Sequence, residues 1–537
     1  MRSDKARKNK NNPAGTGAAE KSILIWLVKL YVFLLMAVYP LYYKNKYYDI
    51  DEAKWEFFKY VSFSFAAVIA IVLIRYLGYF IAEKRVKESL RSAAEKLTVT
   101  DCFVLAYLVV CCISTLITPY RQNLIWGFEG WYMGFIAQLS FVVIYFLVSR
   151  FWRWDTFHLT VFLFMAFAVF FLAVIMRFRI DPLNMYEGLD DYYIQHFLST
   201  LGQTTWYSSY MCIMAPIGLV GYCSAEKLLQ RTAYGIFCVI SFMTFVTQNS
   251  DSAYVAVFGI FFLLFWISFE SDGKFLRFLE CVILALGAFK LIGLLQLAFK
   301  ERAVALDRLS IFMSQSAATL FLLVAAGLLY ILLRAVVFRK TDFHIEKIKK
   351  IRGVMLILLV MGMLGMIIYI FLNTTGRLPE RLSSDNNYLV FNDAWGNNRG
   401  VSWRCTVEGY IKADPLRKLF GVGPDSFAEY IYGYYQADLD RILGGHIAQI
   451  CAHNEWLNTL LNLGILGFIA YLGIFVSSFK DCMKGAKKEP CLYGAAIAIT
   501  AYILHNFFCY QQIICTPAIF ILMGMAQSVM RYGNAEE

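Results

Sequence analysis

Between two long apolar runs lies a polar stretch, residues 373–453, whose residue types can do chemistry. It holds Arg399, Trp403 and Arg404, then Gly421-Val-Gly423-Pro-Asp-Ser-Phe427, and ends at His453-Asn454. The run after Asn454 predicts a helix, which puts His453 at a helix N-terminus. The positive end of a helix dipole disfavours imidazolium there. Neutral imidazole is the form that takes a proton from a hydroxyl; capping alone is the competing role for His453. A guanidinium matches phosphate oxygens in two-point fashion and stabilises charge on a departing diphosphate. Arg377 and Arg381 share the stretch with Arg399 and Arg404, and a solvated loop charge is the default for the first two. Gly421 and Gly423 let the backbone approach something closely, with a purely structural turn as the alternative. No Gly-Lys-Ser/Thr follows them, so this is not a Walker loop.

These residues need elements to hold them. The chain has 537 residues, 59% hydrophobic and 17% aromatic, with mean hydropathy +0.55. A soluble domain of that length cannot bury so much apolar surface, so the expected fold is an all-α polytopic membrane protein. About 20 apolar residues cross a bilayer, and roughly fourteen such runs occur. The last two, near 491–511 and 514–530, are so close that a re-entrant hairpin is an alternative, which gives about 12–14 transmembrane helices. The expected organisation is a basic tail (1–22), eleven spans (23–373), a large loop with short helices (374–453), C-terminal spans (454–530) and a short tail (531–537). Within the loop, Trp403–Lys412 predicts a short helix. Trp403, Val407 and Tyr410-Ile411 would share one side, and Asp414-Pro415 would end it. Such a helix could lie along the membrane surface.

Charge gives the expected orientation. With the N-terminus cytoplasmic, every alternate connection is basic: Lys84-Arg85-Lys87-Arg91, Arg150 and Arg153, Lys227 and Arg231, Lys274 and Arg277, Arg339 to Arg352, and Lys480 to Lys488. The net charge of +11 therefore reads as topology and not as nucleic-acid binding. The 374–453 loop would face outward, where nucleotide sugars are absent, so a donor must arrive already activated on a lipid carrier. Most of the thirteen cysteines lie in apolar runs, although Cys405 and Cys451 share the loop and could pair. The six histidines are scattered and form no zinc pattern.

The combination Arg399-x-x-x-Trp403, Gly421-Val-Gly423-Pro-Asp-Ser-Phe427 and His453-Asn454-x-x-Leu457…Gly464-Ile-Leu-Gly467 resembles the O-antigen ligase-like family. That family includes O-antigen ligases, polysaccharide polymerases and protein O-oligosaccharyltransferases. The resemblance implies a plasma-membrane glycosyltransferase that uses an undecaprenyl-diphosphate-linked glycan donor and no metal or other cofactor. The acceptor would be a glycan, lipid or protein, with membrane lipids and other polysaccharide assembly proteins as partners. It also implies catalytic roles for His453 and Arg399. Arg404, Trp403, Asn454, Gly421, Gly423 and Asp251 are the candidate substrate-binding residues. Family members often carry Ser-Arg-Gly where this chain has Ser250-Asp251-Ser252, a reversal of charge. Asp251 could bind sugar hydroxyls, or Ser250 or Asp251 could cap the next helix. The outer tryptophans Trp126, Trp131, Trp206, Trp395 and Trp403 could stack on sugar rings or simply mark the interface. A lipid-linked glycan flippase or polysaccharide exporter without transferase activity is the rival reading; matched Gly/Pro-broken helices of the transporter kind are not evident.

Overall fold

A computed structural model describes residues 13–82, 91, 95–444 and 449–533. The basic residues 1–12, the Lys84-Arg85-Lys87 cluster, residues 445–448 of the loop and residues 534–537 lie outside them. The described chain is helical almost throughout, with one two-residue strand pair, Phe197–Leu198 against Gly202–Gln203. Each apolar run of the sequence is a helix. Among the described residues, ten are long and apolar enough to cross a membrane, and Phe135–Phe151 and Leu492–His505 are shorter apolar helices. This is an all-α, multi-pass membrane protein. Side chains start many of the helices. Thr98 and Asp101 form a reciprocal capping box at Val99–Ile117, and Asp155, Ser271 and Asp307 accept from backbone N–H groups of the helices that follow them.

Contacts between helix ends divide the bundle into two ends. At one, Asp101 accepts from Arg150 (2.8 Å), Arg531 (2.7 Å) and Tyr145 (2.8 Å). Thr100 donates to Asp481, and so does Gln527. The basic residues that follow Lys480 share this end. At the other end, the polar loop sits on the helix ends and the short connections. The Phe128 and Met133 N–H groups donate to Asp425 at 2.7 and 3.1 Å. Burial pushes the Asp425 carboxyl up to about 6, against the pull of those two donors.

The loop is a folded cap. Its helices Trp395–Lys412, Pro415–Phe420 and Phe427–Leu443 enclose a core of Val401, Cys405, Val422, Phe427, Ile431 and Leu439, which Leu461 of the next helix completes. The side of Trp395–Lys412 that carries Trp403, Val407, Tyr410 and Ile411 is not the buried one. The buried face is made of Val401, Ser402, Cys405, Thr406 and Gly409, whereas Val407 and Ile411 are exposed. Small residues let the neighbouring helix come close, and Tyr430 donates to the Gly409 carbonyl at 2.9 Å. Cys405 and Cys451 are both buried free thiols, in separate apolar clusters.

Two helices contrast with the rest. Ala317–Lys340 and Ile351–Thr374 bury none of their most apolar windows in protein, against 56% for Glu455–Gly485. Lipid tails are as apolar as leucine, so such helices incur no hydrophobic penalty in a bilayer.

Candidate active site

Arg399 is held by an unusual turn. Gly396, Asn397 and Asn398 have φ of 58°, 63° and 65°, three successive left-handed residues ahead of the regular helix. Glycine and asparagine tolerate that region best. Gly400 is fixed by space: a Cβ there would lie 1.8 Å from the Asn392 carbonyl oxygen. The Val401 N–H donates to the Asp393 carbonyl at 3.0 Å, closing the turn. Arg399 donates to its own turn at the Gly396 carbonyl (3.3 Å), and its guanidinium lies over the Phe508 ring at 6.0 Å. Among the described residues, no carboxylate lies within ion-pairing distance of it.

His453 sits one residue ahead of the next helix's cap, in a left-handed conformation (φ 47°) that few non-glycine residues adopt. The residues around it hold it there. Asn454 Oδ1 accepts from the Trp456 and Leu457 N–H groups, both at 3.0 Å. Asn458 Oδ1 accepts from Ala452 N–H at 3.1 Å, and the Asn506 carbonyl accepts from Glu455 N–H at 2.9 Å. The half-buried imidazole meets the Tyr510 ring edge-on at 5.2 Å. Burial first, and the nearby Arg399 charge second, bring its pKa down to about 4. It is therefore neutral at physiological pH, the state a proton acceptor requires.

Aromatic rings flank this pair on two sides. Beside Arg399, Phe391, Trp395, Trp403 and Phe508 pack ring to ring, with Trp395 and Trp403 centred 4.9 Å apart. Beside His453, Trp131, Trp206 and Tyr510 form a second group. Trp131 and Tyr510 are 4.0 Å apart, and Trp206 Nε1 donates to Tyr510 Oη at 3.2 Å. Tyr388 donates to Asp251 at 2.8 Å. Partial burial and that bond push the Tyr388 phenol up to about 12, while Arg399 pulls it back. Asp251 thus faces the Arg399 side of the loop. The expected cap does not form, as Ser250 makes no capping bond and instead shares a hydrogen bond with Ser252.

The other candidates have structural partners. Arg404 donates two bonds to Asp393, at 2.8 and 3.1 Å, and reaches Asp438 at 3.3 Å and Glu408 at 3.4 Å. The bond to Asp393 raises its already high pKa further. Trp403 belongs to the aromatic wall, and Asn454 is the helix cap. Gly421 (φ 78°) and Gly423 (φ 117°) approach protein backbone: Val422 and Gly423 N–H donate to the Leu461 and Asn462 carbonyls at 3.1 and 2.9 Å. A Cβ on Gly421 would lie 2.2 Å from the Asn462 oxygen. Gly464 (φ 67°) breaks the helix Glu455–Gly485 at this contact. An unbroken helix of 31 residues would run about 46 Å, well beyond a hydrocarbon core of about 30 Å.

Several neighbours were not singled out from the sequence. Phe508 and Tyr510 lie on residues 506–515, a non-helical loop inside what reads as one apolar stretch. Its polar letters, His505-Asn506 and Gln511-Gln512, were the available signal. Glu455 is buried and accepts from Tyr471, Tyr502 and Asn506. His505 contacts Asn506 at 2.9 Å and Ser208 at 3.1 Å. Burial pushes both loop thiols up, Cys405 to about 11, so neither is a ready thiolate.

Residues 302–472 match the family model described as O-antigen ligase. The matched segment contains Arg399, Arg404, both loop glycines, His453 and the Gly464 break. No curated protein sequence matches the chain.

Proposed function

We propose that this chain, whose match over residues 302–472 supports an O-antigen ligase-like membrane glycan ligase or polymerase family, transfers glycan from a lipid-diphosphate donor to an acceptor hydroxyl. The observation that carries the reading is the pairing of Arg399, a guanidinium with no carboxylate partner among the described residues, with a neutral His453. The acceptor oxygen attacks the anomeric carbon and a new C–O bond forms. The bond from that carbon to the diphosphate oxygen breaks, and the electron pair leaves on the diphosphate. The acceptor proton passes to the His453 imidazole, and a single displacement inverts the anomeric centre. Arg399 holds the departing charge by fork-like bonds. Among the described residues, Arg150, Arg153, Lys484 and Lys488 lie at the end of the bundle away from the loop, which supports an extracytoplasmic loop, a cytoplasmic N-terminus and a donor such as an undecaprenyl-diphosphate-linked glycan.

Donor binding also tunes the base. In the free protein, Arg399 helps keep the imidazole pKa low. A bound diphosphate offsets that charge and adds negative charge nearby, which raises the imidazole pKa. The base thus gains strength when the donor is in place. Asp251, tied to Tyr388 on the Arg399 side, is available to accept from sugar hydroxyls.

The test is His453→Ala in purified protein supplied with lipid-linked glycan extracted from the native membranes. Transfer should disappear while membrane insertion and thermal stability persist. Undiminished product would remove His453 from the chemistry.

A further inference from the structure

A cavity opens at the same end of the bundle as His453. Its volume is about 490 Å³, and its walls come from Tyr47, Tyr48, Asp51, Asp190, Tyr193 and Trp206, among others. That size falls within the range of small-molecule sites. Its lining contains neither lysine nor arginine. Neighbouring cations have their own partners: Lys46 pairs with Glu187, Arg179 pairs with Asp191 at 2.7 Å, and the fully buried Arg177 donates to the Ile194 carbonyl at 2.9 Å. The cavity is therefore unsuited to a diphosphate. Aromatic rings and carboxylate acceptors without a cation suit a neutral sugar: its C–H faces lie on the rings and its hydroxyls donate to the carboxylates.

The walls are built to hold this shape. Tyr47 is buried and donates to the Ser199 carbonyl at 2.5 Å. Tyr48 is 56% exposed, and its hydroxyl lies where a Cβ on Gly188 (φ 79°) would be, 2.5 Å away. Asp190 caps the short helix that carries Tyr193, accepting from the Tyr193 N–H at 3.0 Å. Asp51 opens the helix Ile50–Ala82. Trp206 connects the cavity to the chemistry. It lines the cavity and donates to Tyr510, the residue whose ring meets His453.

We infer that this aromatic and acidic cavity is a carbohydrate subsite that holds the acceptor glycan on the base side of the reaction. The inference rests on the glycosyl-transfer reading above. It assigns the acceptor to the His453 face through Trp206 and Tyr510, and the donor diphosphate to the Arg399 face.

The experiment uses the full-length protein in lipid nanodiscs. The probe is the set of oligosaccharides released by mild acid from the surface glycan of cells that express it. Saturation-transfer NMR reads which sugar protons touch protein. Wild type and His453→Ala should both saturate the sugar ring protons. Tyr48→Ala and Asp51→Asn, at exposed or half-buried positions, should each weaken the signal at least about fivefold, comparable with loss of one aromatic or hydrogen-bonding contact. Tyr48→Phe keeps the ring and should bind as wild type does, which separates lost stacking from lost folding. Millimolar pyrophosphate should leave the signal unchanged. No saturation with wild type, equal saturation with both weakened variants, or displacement by pyrophosphate would each overturn the subsite. If the fragments do not bind but His453→Ala abolishes transfer, only the subsite falls. If they bind but His453→Ala still transfers, only the base assignment falls.

Discussion

Arg399 and Arg404 stand five residues apart on one helix of the loop, and their surroundings are opposite. Arg404 is surrounded by Asp393, Glu408 and Asp438 and braces the loop. Among the described residues, Arg399 has a carbonyl of its own turn and the face of Phe508 and no carboxylate partner. A guanidinium whose donors are already occupied has little left for a ligand. One held rigidly beside a neutral histidine, with donors free of carboxylates, is ready for an anion. The same residue type thus serves folding at one position and, on our reading, chemistry at the other. The difference lies in the acceptors within reach.

That contrast can be broken by substitution. The largest expected effect is on Arg399→Lys, which keeps the charge and loses the fork. Transfer should fall by about a hundredfold or more with an unchanged melting temperature, measured by product formation and thermal unfolding of the same preparation. Gly400→Ala comes next. The added methyl meets the Asn392 carbonyl at 1.8 Å, so the helix start that carries Arg399 must move away from the 392–393 segment. Both transfer and stability should suffer, the latter by about 2 kcal/mol or more. Arg404→Ala is the mirror image of Arg399→Lys: it should cost about 1 kcal/mol of stability, because the partners are partly exposed, while transfer changes only a few-fold.

The smallest effect is the most discriminating. On the proposed mechanism transfer requires neutral His453, so it should be lost as pH falls through the imidazole pKa. In the free protein that pKa is about 4, and donor binding should raise it. The acid limb of kcat/KM should therefore lie near pH 4, and that of kcat should lie higher. In Arg399→Gln, whose residual transfer remains measurable at high protein concentration, the acid limb of kcat/KM should move upward; in Arg404→Ala it should stay in place. Coincident limbs in all proteins would mean that Arg399 does not act on His453.

Much of the architecture was legible because a bilayer imposes simple lengths: each apolar run near 20 residues became a helix. The site was legible only in part. Arg399 and His453 were singled out only through their motif, since no spacing rule relates residues 54 positions apart. Residues 506–515 were hidden because Phe507-Phe508, Cys509 and Ile513-Ile514 carry the hydropathy of a span. In the Trp395–Lys412 helix, which of the two faces packs inward was not legible, because close packing there uses Cys405, Thr406 and Gly409 and leaves Val407 and Ile411 outside. The loop glycines come close to protein backbone at the broken helix near Gly464, which is the contact a structural turn makes.

The left-handed turn before Arg399 also sets limits on sequence drift. An exposed polar side chain is ordinarily the freest position in a protein, because solvent accepts almost any replacement. Asn397 is exposed, yet it and Asn398 hold backbone angles that valine, isoleucine or threonine adopt only at a cost of about 1–3 kcal/mol each. Two residues at or near the surface therefore have nearly the narrow repertoire of a buried core. Random mutagenesis of this loop should return glycine, aspartate and asparagine at 397 and 398 far more often than their accessibility would suggest.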